Sequence, residues 1–458
     1  MHQQTSRRTD LCSRILLWCF IIALGSFISC GGGSGSGGSG ATDKGGNSAQ
    51  DNPIGGAWQR ISIEQISASG LLIPNVKAKL AGNSQLHIVY FTDSQDTAGD
   101  YTINHILWDM EARSRISHES VVDVDNCRTL SLAIGSDNIP IVAYQGGAVR
   151  EGGSEQQSDV MVSVMQDGTW TEYTGGIGFV ERNPVFQDGL AGKFVSAAVD
   201  GQGDIHLCYQ FFYEGIDAMN FNYPDLLYVE KDWTSLGTAA TEETVEGNVY
   251  NLNGTASEQN RVGAYNAIVL DENGDPVIFY YADLSPNSSN PDTKGLRVAY
   301  RVSGVWQSEW VDTGFEVGDI SCALDMDGNP CVAYYVESQY TDSRGITHEK
   351  CLKYASKNSS TWATTIVDES TICGKYCSLA FDASGNPAIA YYSMQNISGS
   401  LVLNDLQMAS SNGTSWSSEV VASTGDIGNY NTLWFDGSGK AYICSYSNTD
   451  HTIYLFCK

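Results

Sequence analysis

Five aromatic side chains, Phe211, Phe212, Tyr213, Phe221 and Tyr223, stand beside the carboxylates Glu214, Asp217 and Asp225. Flat rings stack on sugar rings and cations, and carboxylates accept hydrogen bonds from hydroxyls, so this mixture suits recognition of a glycan or a cationic group. The same rings equally suit packing a large loop onto the sheet beneath it. A second group is more regular. Tyr281, Tyr335 and Tyr392 each close an apolar run, and Asp283 and Glu337 follow the first two at a spacing of two residues. The candidate binding surface is therefore Phe212, Tyr213, Asp217, Tyr223, Tyr281, Asp283, Tyr335, Glu337 and Tyr392, and no residue is assigned a catalytic role. Tyr265, Tyr376 and Tyr430 open apolar runs and are expected either near the mouth of a channel or in sheet-to-sheet packing.

Other residue types point away from metals and redox chemistry. Asp200, Asp271, Asp325, Asp382 and Asp436 head Asp-x-x-Gly turns that faintly resemble calcium loops, but the later glutamate of an EF-hand is missing, and capping of the turn's own amides accounts for them. Calcium is the one cofactor these turns leave open; otherwise none is expected. His87 and His206 occupy equivalent positions and read as strand residues with satisfied hydrogen bonds, and no histidine pair has ligand spacing. Nine cysteines follow Cys30, with no Cys-x-x-Cys among them. An odd number cannot pair completely within one chain. Cys331 with Cys351, and Cys373 with Cys377, are the pairs whose spacing would allow a bridge.

The elements that must position these residues come from an internal repeat. GAYNAIVLDENGDPVIFYY (263–281), GDISCALDMDGNPCVAYY (318–335), GKYCSLAFDASGNPAIAYY (374–392) and GNYNTLWFDGSGKAYICSY (428–446) are copies of one unit. GKFVSAAVDGQGDIHLCYQ (192–210) is a fifth, and weaker copies lie at 127–145 and 73–91. Alignment puts Tyr90, Tyr144, Tyr209, Tyr280, Tyr334, Tyr391 and Ser445 in register, at spacings of 54, 65, 71, 54, 57 and 54 residues. Each copy is two β-branched and aromatic runs around a tight turn, which reads as a pair of strands. A third strand follows, as in LRVAYR (296–301) and CLKYAS (351–356). A fourth is expected to begin at Trp170, Trp233, Trp306, Trp362 and Trp416. Four antiparallel strands repeated seven times define an all-β, seven-bladed β-propeller.

The last unit stops after its third strand, TIYLFCK (452–458), whereas Trp58 in GGAWQRISIE precedes the first unit and matches GVWQSEWVD (304–312). An N-terminal strand completing the last blade closes the ring and hides the edges that an open ring would leave. Over residues 55–458 the chain resembles bacterial surface proteins built from propeller repeats of the pattern G-x-Y-x-S-L-x-x-D-x-x-G-x-P-x-I-x-Y-Y. The resemblance implies the fold and no particular activity. The Ser-x-Asp-x-Gly-x-x-Trp box of sialidases is absent. Arg128 is the only arginine on an expected innermost strand, so no arginine triad for a carboxylated sugar is formed.

Antiparallel order places the short Asp-x-x-Gly turns on one face of the ring. The long connections 146–158, 211–225, 235–262, 282–294 and 336–350 fall on the other, which is the expected binding face. The chain carries 25 Lys and Arg against 53 Asp and Glu, a formal charge of −28. A surface that acidic repels phosphate backbones, so nucleic acid is not an expected partner.

At the N-terminus, Arg7, Arg8 and Arg14 precede an apolar run from Ile15 to Phe27, shorter than the ~20 residues a membrane-crossing helix needs. Phe27-Ile28-Ser29-Cys30 resembles the lipobox of bacterial lipoproteins, which implies a signal peptide over 1–29, a lipid on Cys30, and anchoring to the outer membrane or cell surface. Residues 30–54 are a Gly/Ser-rich tether. The expected function is non-enzymatic binding of a glycan or envelope protein at the cell surface, with membrane contact through the lipid alone. An extracellular glycoside hydrolase or lyase, and a structural envelope subunit, are the alternatives.

Overall fold

The computed structural model describes residues 58–66, 74–93, 100–125, 129–135, 137–146, 159–174, 188–214, 224–232, 236, 241–248, 260–284, 293–342, 344–358, 360–370, 372–397 and 400–458. The signal-like segment, Cys30 and the tether lie outside the described residues.

Seven four-stranded antiparallel sheets form a closed seven-bladed β-propeller. Their innermost strands are Lys77–Leu80, Leu130–Ile134, Asp188–Val199, Arg261–Leu270, Val317–Leu324, Ile372–Phe381 and Ile427–Phe435, for blades 1 to 7 in order. Each is in contact with its neighbours around the ring, and that of blade 7 meets that of blade 1.

Closure follows the expected route. Gln59–Gln65 pairs antiparallel with Thr452–Cys457, setting Arg60 opposite Phe456, and supplies the outer strand of blade 7. Trp58 is 1% exposed and packs in the core between blades 6 and 7. One side chain of that size, fully buried, stabilises the closed ring by about 3 kcal/mol.

The hydrophobic core is not central. It is seven separate clusters, one in each gap between adjacent blades, including one where Leu86, Ile88 and Ile106 of blade 1 meet Cys444, Tyr446 and Leu455 of blade 7. Second strands therefore face apolar neighbours on both sides. Pro330–Val336 is buried at six of its seven positions, which is why these segments read as continuous apolar runs rather than alternating ones. Blades are also tied through their innermost strands. The Ser131, Ser196, Ser321 and Ser378 hydroxyls accept the backbone N–H of Ala197, Ile268, Leu379 and Leu433 in the following blade, at 2.9–3.2 Å.

The repeated aspartates cap their turns. Asp271 Oδ1 accepts the amides of Asn273 and Asp275 at 2.8 and 2.9 Å, and Asp200, Asp325, Asp382 and Asp436 do the same in their blades.

Several expectations are corrected. The fourth strand of blade 3 is Thr241–Glu246 and not a segment starting at Trp233; its polar TEETVE sequence lacks the tryptophan signal because it is a partly exposed outer strand. Cys331 pairs with Ser356 and Cys351 with Val336, so the two cysteines sit at opposite ends of adjacent strands, too far apart to bridge. Cys373 and Cys377 lie four residues apart on one extended strand rather than across a tight loop. Cys331, Cys351 and Cys377 are free thiols, and the Cys373 thiol donates to the Asp368 carbonyl at 3.1 Å. His87 and His206 are buried and bonded through Nδ1, to His105 and Tyr228; His206 Nε2 lies 3.9 Å from Asp200 Oδ2, whereas His87 Nε2 has no hydrogen-bond partner. Arg261 begins the innermost strand of blade 4, so Arg128, outside the described residues, is not the only arginine expected there.

Candidate functional site

The propeller places two sets of tyrosines at different distances from its axis. The in-register set belongs to the second strands and is buried. Tyr144 bonds Glu172, and Tyr209 bonds Glu242. Tyr280 donates to Glu246 at 2.7 Å, Tyr334 to Asp312 at 2.6 Å, and Tyr391 to Asp368 at 2.6 Å. Each acceptor lies in an outer strand or just beyond it, so these hydroxyls are satisfied inside the blades and form a structural belt.

The second set starts from the Gly-x-aromatic step that opens four innermost strands. Gly192, Gly263, Gly374 and Gly428 have φ between 86° and 113°, and a Cβ on any of them would come to 3.1 Å from the preceding blade. Glycine is needed here for both reasons. Two residues later the chain again turns left-handed, now on an aromatic residue: Phe194 (φ 55°), Tyr265 (52°), Tyr376 (51°) and Tyr430 (55°), with Asn75 (41°) at the matching place in blade 1. A left-handed backbone is costly for bulky side chains and clusters at functional sites. The register irregularity it creates turns these side chains toward the axis. Asn266 and Asn431 hold the turn by donating Nδ2–H to the carbonyls of Gly263 and Gly428 at 2.9 and 2.7 Å.

Blade 5 breaks the pattern. Its innermost strand is one residue shorter before the turn, so Asp319 occupies the place of the aromatic. The result is a cavity of about 270 Å³ at the start of the innermost strands, lined by residues from all seven blades, including Lys77, Phe194, Tyr265, Asp319, Tyr376 and Tyr430. Phe194 and Tyr265 pack as a tilted pair on one side of Asp319 with centroids 4.6 Å apart, and Tyr376 and Tyr430 do so on the other at 4.7 Å. Because innermost strands run from this mouth down to the Asp-x-x-Gly turns, the cavity opens on the face of the long connections.

Its electrostatics are uneven. Asp319 Oδ2 accepts the Tyr376 amide at 3.0 Å. Burial raises the Asp319 pKa, and that amide, Lys375 and Lys77 oppose the rise. Lys77 reaches the solvent of the channel but is ringed by protein, and desolvation lowers its pKa against the pull of Asp319 and Cys377. Burial pushes Tyr376 up to about 12 and Tyr265 and Tyr430 higher. A lysine biased toward the free amine, a carboxyl biased toward the acid, and phenols that keep their protons are the parts of a proton-transfer site. A larger cavity of about 840 Å³ lies outward, beside the hairpin of Tyr340–Thr341 and Thr347–His348. Its charges are already matched, Lys353 with Asp312 and Arg344 with Asp342.

None of the described residues in the expected binding surface lines the channel cavity. Tyr281, Tyr335 and Tyr392 end second strands and so stand one strand away from the axis. Tyr335 is 1% exposed, its ring against Gly318 and Gly374 and its hydroxyl without a partner. Tyr392 donates to Asp426 at 2.9 Å and packs edge-on against Tyr376. Tyr281 is half-buried, its phenol raised by burial and then by Asp283, Glu316 and Glu337, with Arg261 opposing the rise. The Lys193 ammonium lies 4.9 Å from the Phe212 ring centre. Tyr213 pairs with Gly189 through the backbone, its side chain outside the described residues, as are Asp217 and Tyr223. Asp225 is structural and accepts the Asn248 amide at 2.8 Å. Tyr265, Tyr376 and Tyr430 do line the mouth, as one of their two readings expected. Asp319, Lys77 and Phe194 went unrecognised; the signal was the shortened blade 5 repeat, in which an acid replaces an aromatic.

No family model matches the chain, and no curated protein matches it. Solved structures share its architecture. An ulvan lyase, a polysaccharide lyase bound to -[GlcA(1-4)Rha3S]-, aligns at 12% identity over 86% of this chain and 95% of its own, with a TM-score of 0.50. A protein of unknown function from Dyadobacter fermentans aligns at 10% identity over 87% and 97%, with a TM-score of 0.49. A microbial sialidase aligns at 13% identity over 79% and 74%, with a TM-score of 0.45. At these identities the likeness is one of fold.

Proposed function

We propose that this protein takes a glycan chain at the mouth of its central channel and cleaves it, acting outside the cell membrane as a lipid-anchored enzyme. The observation that carries this reading is the placement of Asp319 between two aromatic pairs, Phe194 with Tyr265 and Tyr376 with Tyr430, within the same cavity as Lys77. Aromatic pairs on either side give a sugar chain faces to stack on, and the lysine, carboxyl and phenols supply groups for moving a proton. The left-handed backbone at four aromatic positions supports a functional rather than a packing role, because packing alone is met at lower cost by the belt tyrosines. A fold shared with an ulvan lyase is consistent with this chemistry.

The test is incubation of the purified full-length protein with a panel of neutral and acidic polysaccharides, followed by chain length. Shortening of at least one polymer, lost in Asp319→Asn and in Lys77→Ala, is the expected result. Cleavage indifferent to both substitutions would move the site elsewhere.

A second reading, recognition of a glycan or envelope protein without turnover, is favoured by one observation. The Lys193–Phe212 contact carries aromatic surface outward beyond the cavity. Tight binding of an uncleaved ligand, weakened by Phe212→Ala, would select it.

A further inference from the structure

The innermost strands carry a charge balance opposite to that of the chain. The seven innermost strands hold five of the 25 Lys and Arg, namely Lys77, Lys79, Lys193, Arg261 and Lys375, against only two acids, Asp188 and Asp319. A chain with a formal charge of −28 thus gathers basic residues on its innermost strands, with Lys77 in the cavity lining, Lys193 against the lining Phe194 and Lys375 near Asp319. Ringed charges are weakly screened, so these lysines are placed to attract an anionic group toward the mouth of a chain that otherwise repels it.

The carboxylate count is equally informative. Hydrolysis of a glycosidic bond by side chains ordinarily uses two carboxyl groups flanking it. Among the described residues Asp319 is the one carboxylate lining the cavity. Elimination needs a different set: a base beside the carbon next to the sugar's carboxylate, positive charge to hold that carboxylate, and an acid at the leaving oxygen. Lys77, Asp319, Tyr265, Tyr376 and Tyr430 line the cavity together, and Lys375 lies close enough to Asp319 to stabilise its charge.

We propose that the substrate is a uronate-containing polysaccharide and that the mouth cleaves it by β-elimination, with Lys77 as the base and Tyr376 as the acid. This rests on the glycan-cleaving reading above. Neutral Lys77 takes the proton from the carbon bearing the carboxylate. The electron pair forms a double bond to the adjacent ring carbon as that carbon's bond to the glycosidic oxygen breaks, and the leaving oxygen takes its proton from the Tyr376 hydroxyl. The Lys77 ammonium returns its proton to the tyrosinate through water, and no water is consumed. Lys193 and Lys375, at equivalent positions of blades 3 and 6, supply positive charge for the uronate carboxylate.

The experiment compares polygalacturonate, alginate, unsulfated glucuronate polymers and ulvan with their carboxyl-reduced, neutral counterparts, following the ultraviolet absorbance of the unsaturated product and new reducing ends together. The expected result is an unsaturated product from one acidic polymer and none from its reduced form. Lys77→Gln and Lys77→Arg both lower kcat by at least about a hundredfold with KM little changed, because arginine keeps the charge but not the base. Full activity of Lys77→Arg would overturn the assignment of Lys77. Reducing ends without unsaturation would overturn elimination while leaving glycan cleavage standing. Cleavage of the neutral polymers alone would overturn the substrate class. Failure to engage any glycan would overturn the reading on which the inference rests. Circular dichroism of each variant separates loss of function from loss of fold.

Discussion

Tyrosines of the belt and tyrosines of the mouth occur in the same blades, a strand apart, and have opposite relations to the fold. Tyr391 sits on a regular strand, fully buried, with its hydroxyl committed to Asp368. Tyr376, in the same blade, has a left-handed backbone, packs tilted against Tyr430, and lines the channel cavity. The first is placed where it lowers the energy of the folded chain, the second where the chain must bend unfavourably to present it. Residue type alone therefore says little about role in this propeller; the backbone at each position says more.

The largest effect on stability is expected at the belt. Tyr391→Ala removes a fully buried ring and strands Asp368, and is expected to cost about 3–5 kcal/mol in urea unfolding. A loss near zero would mean the belt is not structural. Blade 1 provides the next largest effect. His87 is held neutral by burial and by His105, its pKa lowered to about 4. Its folded-state value lies below its unfolded value, so the stability it contributes is complete above about pH 6.5 and is lost as the pH falls toward 4. That amounts to about 3 kcal/mol across the window. His87→Gln should flatten this part of the stability profile.

Smaller effects sharpen the contrast between the two faces. Asp271→Ala leaves two turn amides uncapped and should cost about 1–2 kcal/mol in thermal unfolding, with glycan turnover unaffected because the turn lies on the opposite face from the mouth. The smallest change in stability is expected at the mouth itself. In Tyr376→Gly the relief of a left-handed residue, about 1–2 kcal/mol, offsets the lost ring stacking of about 0.5–1.5 kcal/mol, so unfolding midpoints should barely move while activity disappears.

The fold was legible because its determinants are local and repeated. Asp-x-x-Gly turns, apolar second strands and the Trp58 segment each carry their own signal, and repetition averages out the weak copies. Thr241–Glu246 escaped because a polar outer strand has no such signal. The site was less legible. The sequence leaves Tyr265, Tyr376 and Tyr430 between the channel mouth and sheet packing and puts Tyr281, Tyr335 and Tyr392 in the candidate surface instead, since one dimension does not separate the axis from a position one strand out. Asp319 was hidden by its resemblance to an ordinary repeat: Gly318-Asp319 aligns by eye with Gly374-Lys375, and only the strand register shows that the aspartate stands at the level of Tyr376. Lys77 and Asp319 are 242 positions apart in the sequence and meet only because the ring closes.

The most direct test of the account is glycan engagement measured in parallel on the full-length protein, on Tyr376→Gly and Tyr430→Gly at the mouth, and on Tyr391→Phe in the belt. The account predicts that both mouth variants fold normally and lose the glycan, whereas the belt variant loses stability and keeps it. Retention of the glycan by the mouth variants, or its selective loss from a folded Tyr391→Phe protein, would contradict the assignment of the channel mouth as the working surface.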